Sequence, residues 1–140
     1  MIQLVPEGSV AVDTSMSVLV VDDSKTTLRI VSQMLQKCGI NDIAEAPNGV
    51  IALERLRAGR FDLVISDVGM VPMNGLELLK AVRADAVLKD ICFVLMTALT
   101  ETAKVLATKD YRADGLLLKP FTAEMLKQHL LQLEKLSARS

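Results

Sequence analysis

From Ser17 onward, short apolar runs alternate with stretches whose apolar residues recur every three or four positions. Val18-Leu19-Val20-Val21 is continuous and ends in Asp22-Asp23, the pattern of a strand buried on both faces. Leu28, Val31, Leu35 and Cys38 follow at helical spacing, and Gly39 predicts the stop. The alternation then repeats. Asp42 to Ala46 reads as a short strand, and Asn48 to Ala58 as a helix closed by Gly59. Phe61 to Ile65 is a strand running into Ser66-Asp67, and a loop of turn formers, Gly69 to Gly75, precedes a helix from Leu76 to about Ala84. Ile91 to Met96 is another buried run, ending at Thr97-Ala98, with a weaker helix from about Thr100 to Asp110. Leu116 to Leu118 is the last strand, stopped by Lys119-Pro120, and Thr122 is placed to cap a final helix to about Leu136.

Strands alternating with helices imply parallel strands joined by right-handed crossovers, hence an α/β fold. Five units are too few for a closed eight-unit barrel, so the pattern predicts an open, doubly wound, five-stranded parallel sheet. Residues 1–16 show neither period and carry Pro6 and Gly8, so they are expected to form a flexible N-terminal tail. The domain is expected over residues 17–137, with a short C-terminal tail at 138–140.

Composition narrows the classes. The chain has 140 residues, 51% hydrophobic, which suits one domain with a real core and excludes a disordered chain. Sixteen basic residues against 17 acidic ones leave no basic excess for nucleic acid. Aromatics at 3% offer no platform for stacking bases or sugars. The first basic residue is Lys25, so no secretory leader is expected. The longest mostly apolar stretch, Ile91 to Leu99, is about half of the ~20 residues a spanning helix needs, so membrane insertion is not expected. Cys38 and Cys92 fit no metal-ligand spacing and read as small buried hydrophobes with reduced thiols. A cytoplasmic location follows.

In an open α/β sheet the ligand site lies beyond the carboxyl ends of the strands. There the sequence sets Asp22-Asp23, Asp67, Thr97-Ala98 and Lys119-Pro120. Three carboxylates at one edge repel unless a cation sits among them, and hard oxygen donors favour Mg2+. A lysine and a threonine hydroxyl opposite them suit the remaining oxygens of a phosphoryl group. The chemistry suggested is phosphoryl transfer to a carboxylate, giving an acyl phosphate. Each residue alone has a plainer explanation: Asp22 or Asp23 as a helix cap, Asp67 as a turn former, Thr97 as an ordinary strand residue, Lys119 as a solvated loop lysine. Five polar residues at the ends of four inferred strands argue against all of these at once.

With these residues in view, the sequence resembles the response-regulator receiver domains of two-component signalling. It is similar above all to the chemotaxis-type regulators that consist of this domain alone. The matching pieces are Val18 to Ser24, Ile65-Ser66-Asp67, Met73 to Leu79, Met96-Thr97-Ala98 and Lys119-Pro120-Phe121, in order over about residues 17–137. The resemblance implies the (βα)5 flavodoxin-like fold. It implies that Asp67 accepts a phosphoryl group from the phosphohistidine of a histidine kinase. Asp22, Asp23, Asp67 and the Gly69 backbone carbonyl would hold Mg2+. Thr97, Ala98 and Lys119 would form the phosphoryl-binding and switch group, with Lys119 paired to Asp67 beforehand and a cis peptide before Pro120 aiming it inward. The implied partners are the kinase, an output protein the sequence does not name, and optionally a phosphatase. The protein would be a phosphoacceptor with self-catalysed transfer and autodephosphorylation, not an enzyme acting on a free substrate.

Five positions depart from the family pattern. Leu116 stands where members usually carry an aromatic ring that swings inward on activation, so coupling to the output face is expected to be weaker or differently routed. Pro72 is shifted one place in the loop after Asp67. Gly69 and Leu99 occupy slots that modulate attacking water, and neither can orient it, so a slowly decaying acyl phosphate is expected. Arg112 stands where a helix-ending Gly is common. Other readings fit less well. Phosphatases and ATPases that form an aspartyl phosphate place a second Asp two residues after the nucleophile, where this chain has Gly69. No dinucleotide fingerprint or Gly-Lys-Ser/Thr phosphate loop exists. His129, the single histidine, reads as a boundary residue of the last helix rather than a phosphotransfer site. A receiver cut from a larger regulator, a phosphate sink and a non-switching receiver remain as alternatives.

Overall fold

The computed structural model describes residues 12–98 and 112–133. The elements are β1 (Ser17–Val21), α1 (Lys25–Lys37), β2 (Asp42–Ala46), α2 (Gly49–Ala58), β3 (Leu63–Asp67), α3 (Gly75–Ala84), β4 (Cys92–Thr97), β5 (Gly115–Leu118) and α4 (Ala123–Gln132). The helix expected from about Thr100 to Asp110, and Leu99 with it, lie outside the described residues.

All four strand pairings are parallel, in the order β2-β1-β3-β4-β5. The chain winds outward from β1 to β2, then crosses back to lay β3 against the other side of β1. This reversal leaves the ends of β1 and β3 side by side, where an open α/β sheet places its ligand crevice.

The continuous apolar runs follow from burial on both faces. Val18 and Val20 of β1, Leu63 and Ile65 of β3, and Cys92, Val94 and Met96 of β4 pack with Leu28, Leu35, Leu126 and Leu130 of α1 and α4. Their neighbours Leu19, Val21, Val64, Phe93 and Leu95 point the other way, against Ala52, Leu56, Leu78 and Val82 of α2 and α3. Two cores thus flank one sheet, each fully buried side chain of this size contributing about 1.5–3 kcal/mol. β2 is the exception: Asp42 and Glu45 are exposed, as suits an edge strand.

Local signals set most helix ends. Ser24, Asn48, Asn74 and Thr122 each accept a hydrogen bond from the backbone N–H three residues on. Asn74 and Glu77 complete a capping box. Several boundaries differ from those expected. β3 starts at Leu63 instead of Phe61 and runs through Asp67, because Asp62 is spent on Ser17, exchanging bonds of 2.8 Å with its backbone. The last helix ends at Gln132, with Leu133 extended as its cap, although the apolar period continues to Leu136. The packed chain also begins earlier than Ser17. Met16 is 2% exposed and joins the first core, with Val12 against it, so this part of the expected tail belongs to the domain.

Candidate functional site

β1 ends at Val21, and the backbone N–H of Asp22 donates to the Ala46 carbonyl at 3.1 Å, holding the chain at the top of β2. Asp22 is buried, and its Oδ1 accepts from the Ser24 N–H at 2.9 Å. Ser24, not an aspartate, is the cap of α1, so neither Asp22 nor Asp23 is needed there. Asp23 is exposed, and Asp67, the last residue of β3, is 8% exposed. One carboxylate oxygen from each of the three lies within 4.8 Å of the others.

Lys119 opposes them from the end of β5. Its N–H donates to the Thr97 carbonyl at 2.8 Å, which holds the chain to β4 just past the ladder. The peptide bond to Pro120 is cis. The ammonium lies 2.8 Å from Asp67 Oδ1 and 3.2 Å from Asp22 Oδ2. Burial works against the Lys119 ammonium, but the hydrogen bond and charge of Asp67, with Asp22 adding, outweigh it and hold the group above the usual lysine range. Burial pushes the Asp22 carboxyl up, and the Asp67 charge adds to this against the Ser24 N–H and Lys119. Among the described residues, three carboxylates facing the Lys119 ammonium leave a net negative pocket of hard oxygen donors. That donor set fits a small divalent cation such as Mg2+.

Thr97 is the last residue of β4, fully buried, and its hydroxyl donates to the Ala98 carbonyl at 3.0 Å. Its backbone is therefore at the site, while its hydroxyl is engaged with Ala98. Gly69 is exposed, one residue beyond the buried Val68, in the loop that follows Asp67. A depression of about 300 Å³ beside the acid cluster is lined by Asp23, Gly69, Met70, Val71 and Asn74, among others. Leu116 is not part of the charged cluster. It is half-buried on the α2–α3 face of β5, and Leu117 turns to the opposite core.

With this geometry in place, the sequence matches the response regulator receiver domain family over residues 18–131. The chain belongs to that family. This receiver is 38% identical over 116 residues to the chemotaxis protein CheY-3 of Vibrio cholerae, covering 83% of the chain and 89% of its relative. It is 37% identical over 115 residues to the chemotaxis protein CheY of Pseudomonas aeruginosa, covering 82% and 93%. Among solved structures it is similar to V. cholerae CheY4, with a TM-score of 0.78, 37% identity, and coverage of 85% of the chain and 98% of that protein. It is also similar to the signal receiver domain of a histidine kinase from Syntrophus aciditrophicus, with a TM-score of 0.79, 30% identity, and coverage of 89% and 92%. The flavodoxin-like receiver fold read from the sequence is the fold present.

Two residues that the sequence offers only as parts of matching motifs, with no role of their own, contribute at the site. Gly75 packs its Cα against the Asp67 carbonyl, and the Ser66 hydroxyl donates to that carbonyl at 2.9 Å. Asn74-Gly75 is a visible turn signal, but its contact with Asp67 is tertiary and carries no local mark. The described residues include no helix long and apolar enough to cross a membrane.

Proposed function

We propose that this two-component receiver accepts a phosphoryl group on Asp67 from the phosphohistidine of a histidine kinase and thereby switches the binding of an output protein. The observation that carries the reading is Lys119 Nζ, 2.8 Å from Asp67 Oδ1, beside three clustered carboxylates. In the transfer, an Asp67 carboxylate oxygen bonds to phosphorus while the P–N bond breaks. The electron pair leaves with the imidazole, which takes up a proton from solvent. Lys119 neutralises Asp67 before the reaction and donates to a phosphoryl oxygen afterwards. Thr97 can exchange its bond to the Ala98 carbonyl for one to the phosphoryl group, so the new charge draws this hydroxyl inward.

Asp22, Asp23, Asp67 and the Gly69 carbonyl are the groups that would hold Mg2+. When bound, the cation would offset the charge of the phosphoryl oxygens against the carboxylates. Asp22, buried among these charges and held by the Ser24 N–H, keeps one donor in fixed orientation. The absence of a side chain at Gly69 leaves nothing there to orient an attacking water, which supports slow autodephosphorylation. Leu116 has no hydroxyl and fills less space than an aromatic ring, which supports weaker or rerouted coupling from Thr97 to the surface around β5.

The chemotaxis proteins among the relatives favour chemotaxis or motility in the cytoplasm as the process served, with a phosphatase as a further partner. Incubation with acetyl phosphate or a histidine kinase and Mg2+ tests the reading. Wild type is expected to gain acid-stable, base-labile label and Asp67→Asn none. No label on wild type, or equal label on both, overturns it.

A further inference from the structure

We infer that Gly75 is a positioning residue for the acid site, setting from behind where the Asp67 backbone and the Gly69 loop can lie. This deepens the reading of Asp67 as phosphoacceptor beside a Mg2+ site and rests on it. A Cβ built on Gly75 would stand 2.1 Å from the Asp67 carbonyl oxygen, 3.0 Å from its carbonyl carbon and 3.1 Å from the Val68 Cα. All three atoms are backbone, so no side chain can swing aside to make room. The Gly75 N–H also donates to the Val68 carbonyl at 2.9 Å, closing the loop that begins just after Asp67. The first turn of α3 is thereby pressed against the strand end that carries the phosphoacceptor. Ser66 holds the same carbonyl from the strand side, its hydroxyl donating at 2.9 Å. Asp67 is thus held through its backbone by neighbours that do not reach its carboxylate.

Gly49 supplies an internal comparison, because it braces the other end of the same loop. Its N–H donates to the Met73 carbonyl at 3.1 Å, and a Cβ there would meet Met73 Cγ at 2.5 Å, Cβ at 2.8 Å and the carbonyl oxygen at 2.9 Å. Both glycines are buried at helix starts, so alanine at either disturbs packing and lowers the melting temperature. Alanine at Gly75 alone must push Asp67 and Val68, by about 1 Å, a displacement large enough to cost a reaction centre ~100-fold. Gly49→Ala displaces Met73 instead, remote in the loop from Asp67.

The test is titration of the full chain with Mg2+ alone, followed by calorimetry, with amide resonances of Asp67, Val68 and Gly69 recorded in metal-free protein. Gly75→Ala is expected to weaken Mg2+ about tenfold or more, the usual cost of disturbing groups that orient metal ligands. It is also expected to shift those amide resonances before any metal is added. Gly49→Ala is expected to leave both readouts at the wild-type value despite its lower melting temperature. Equal losses in the two variants, or unchanged resonances and affinity in Gly75→Ala, overturn the inference. If Gly75→Ala does not fold, Ser66→Ala decides in its place: shifted Asp67 and Val68 resonances support the brace and unshifted ones overturn it. The metal-free resonances decide the positioning role even if wild type takes up no Mg2+, a result that would instead overturn the reading of the site.

Discussion

The two ends of the sheet use the same kinds of charged side chain to opposite ends. At the amino ends of β4 and β5, the Arg83 guanidinium donates to the carbonyls of Lys89 and Ile91 at 2.8 and 2.7 Å and to Asp114 Oδ2 at 2.9 Å. Its Nε and Nη2 donate to the Arg112 carbonyl at 3.2 and 3.0 Å. Asp114 also accepts from the Phe93 N–H at 2.8 Å, tying the start of β4 to the approach of β5. One positive and one negative side chain meet there, and all three guanidinium nitrogens are occupied. At the carboxyl ends, three carboxylates face the Lys119 ammonium among the described residues, and Asp23 stands in solvent. The first arrangement is complete within the protein and can only stabilise it. Among the described residues the second carries more negative than positive charge, a donor set that fits an added cation.

The sharpest way to break this contrast is to remove one charge from each end. Arg83→Met is expected to lower stability by about 3 kcal/mol, as when one partner of a mostly buried ion pair is lost, and to leave Mg2+ affinity unchanged. Urea unfolding with and without the cation measures both, and a loss near zero would mean the Arg83 cluster is not a structural brace. Asp22→Asn should do the reverse. In metal-free protein it is expected to raise stability by about 1 kcal/mol, the common gain when a functional site is relieved of strain. The same variant should lose the stabilisation that Mg2+ gives wild type, about 2.7 kcal/mol at a hundredfold excess over the dissociation constant. A metal-free Asp22→Asn less stable than wild type would show that the pocket is balanced without a ligand.

Smaller effects sharpen the same comparison away from the site. Arg112 has a φ of 49°, in the left-handed region, and Arg83 holds its carbonyl there. Arg112→Gly removes a backbone cost of about 1–2 kcal/mol, and with about 0.5–1 kcal/mol lost to the freer unfolded chain the net gain expected by thermal unfolding is ~0.5–1 kcal/mol. His129 gives the smallest effect. Burial holds its imidazole below the ordinary value of 6.5, and its enclosed Nε2 lies against Gly115 with no hydrogen-bond partner among the described residues. The unfolded chain therefore binds a proton more readily than the folded one. The stability due to neutral His129 is complete above about pH 6.5 and falls as pH drops through the lower folded value. Relative to His129→Gln, wild type should lose urea midpoint between pH 7 and pH 5, and parallel midpoints would contradict this.

Much of both ends was legible in the sequence, for different reasons. β1 and β4 announce themselves as unbroken apolar runs because helices cover both faces of the sheet. Asp22, Asp23, Asp67 and Lys119 could be assembled because the fold class puts strand ends at one edge, whatever the residues between them. Ser24 resolves what Asp22-Asp23 left open: both cap and carboxylate were plausible from the local pattern, and only the structure shows that the serine does the capping. The Arg83 cluster was not legible, since an arginine on a helix has no sequence mark of the four residues it will reach. The same holds for Gly75 against Asp67, a contact made by docking α3 on β3. Within the described residues α4 closes at Gln132 with Leu133 extended, although the apolar period itself gives no sign of a stop there; the expected end at about Leu136 lies outside them.

The central claim is that the incomplete balance at the carboxyl ends exists to receive a phosphoryl group on one particular carboxylate. Its most direct test is to react the protein with acetyl phosphate and Mg2+, trap the acyl phosphate by reduction, and locate the modified residue by mass spectrometry. Modification at Asp67, dependent on Mg2+, is the predicted result. Modification at Asp22, Asp23 or His129, or none at all, would contradict it.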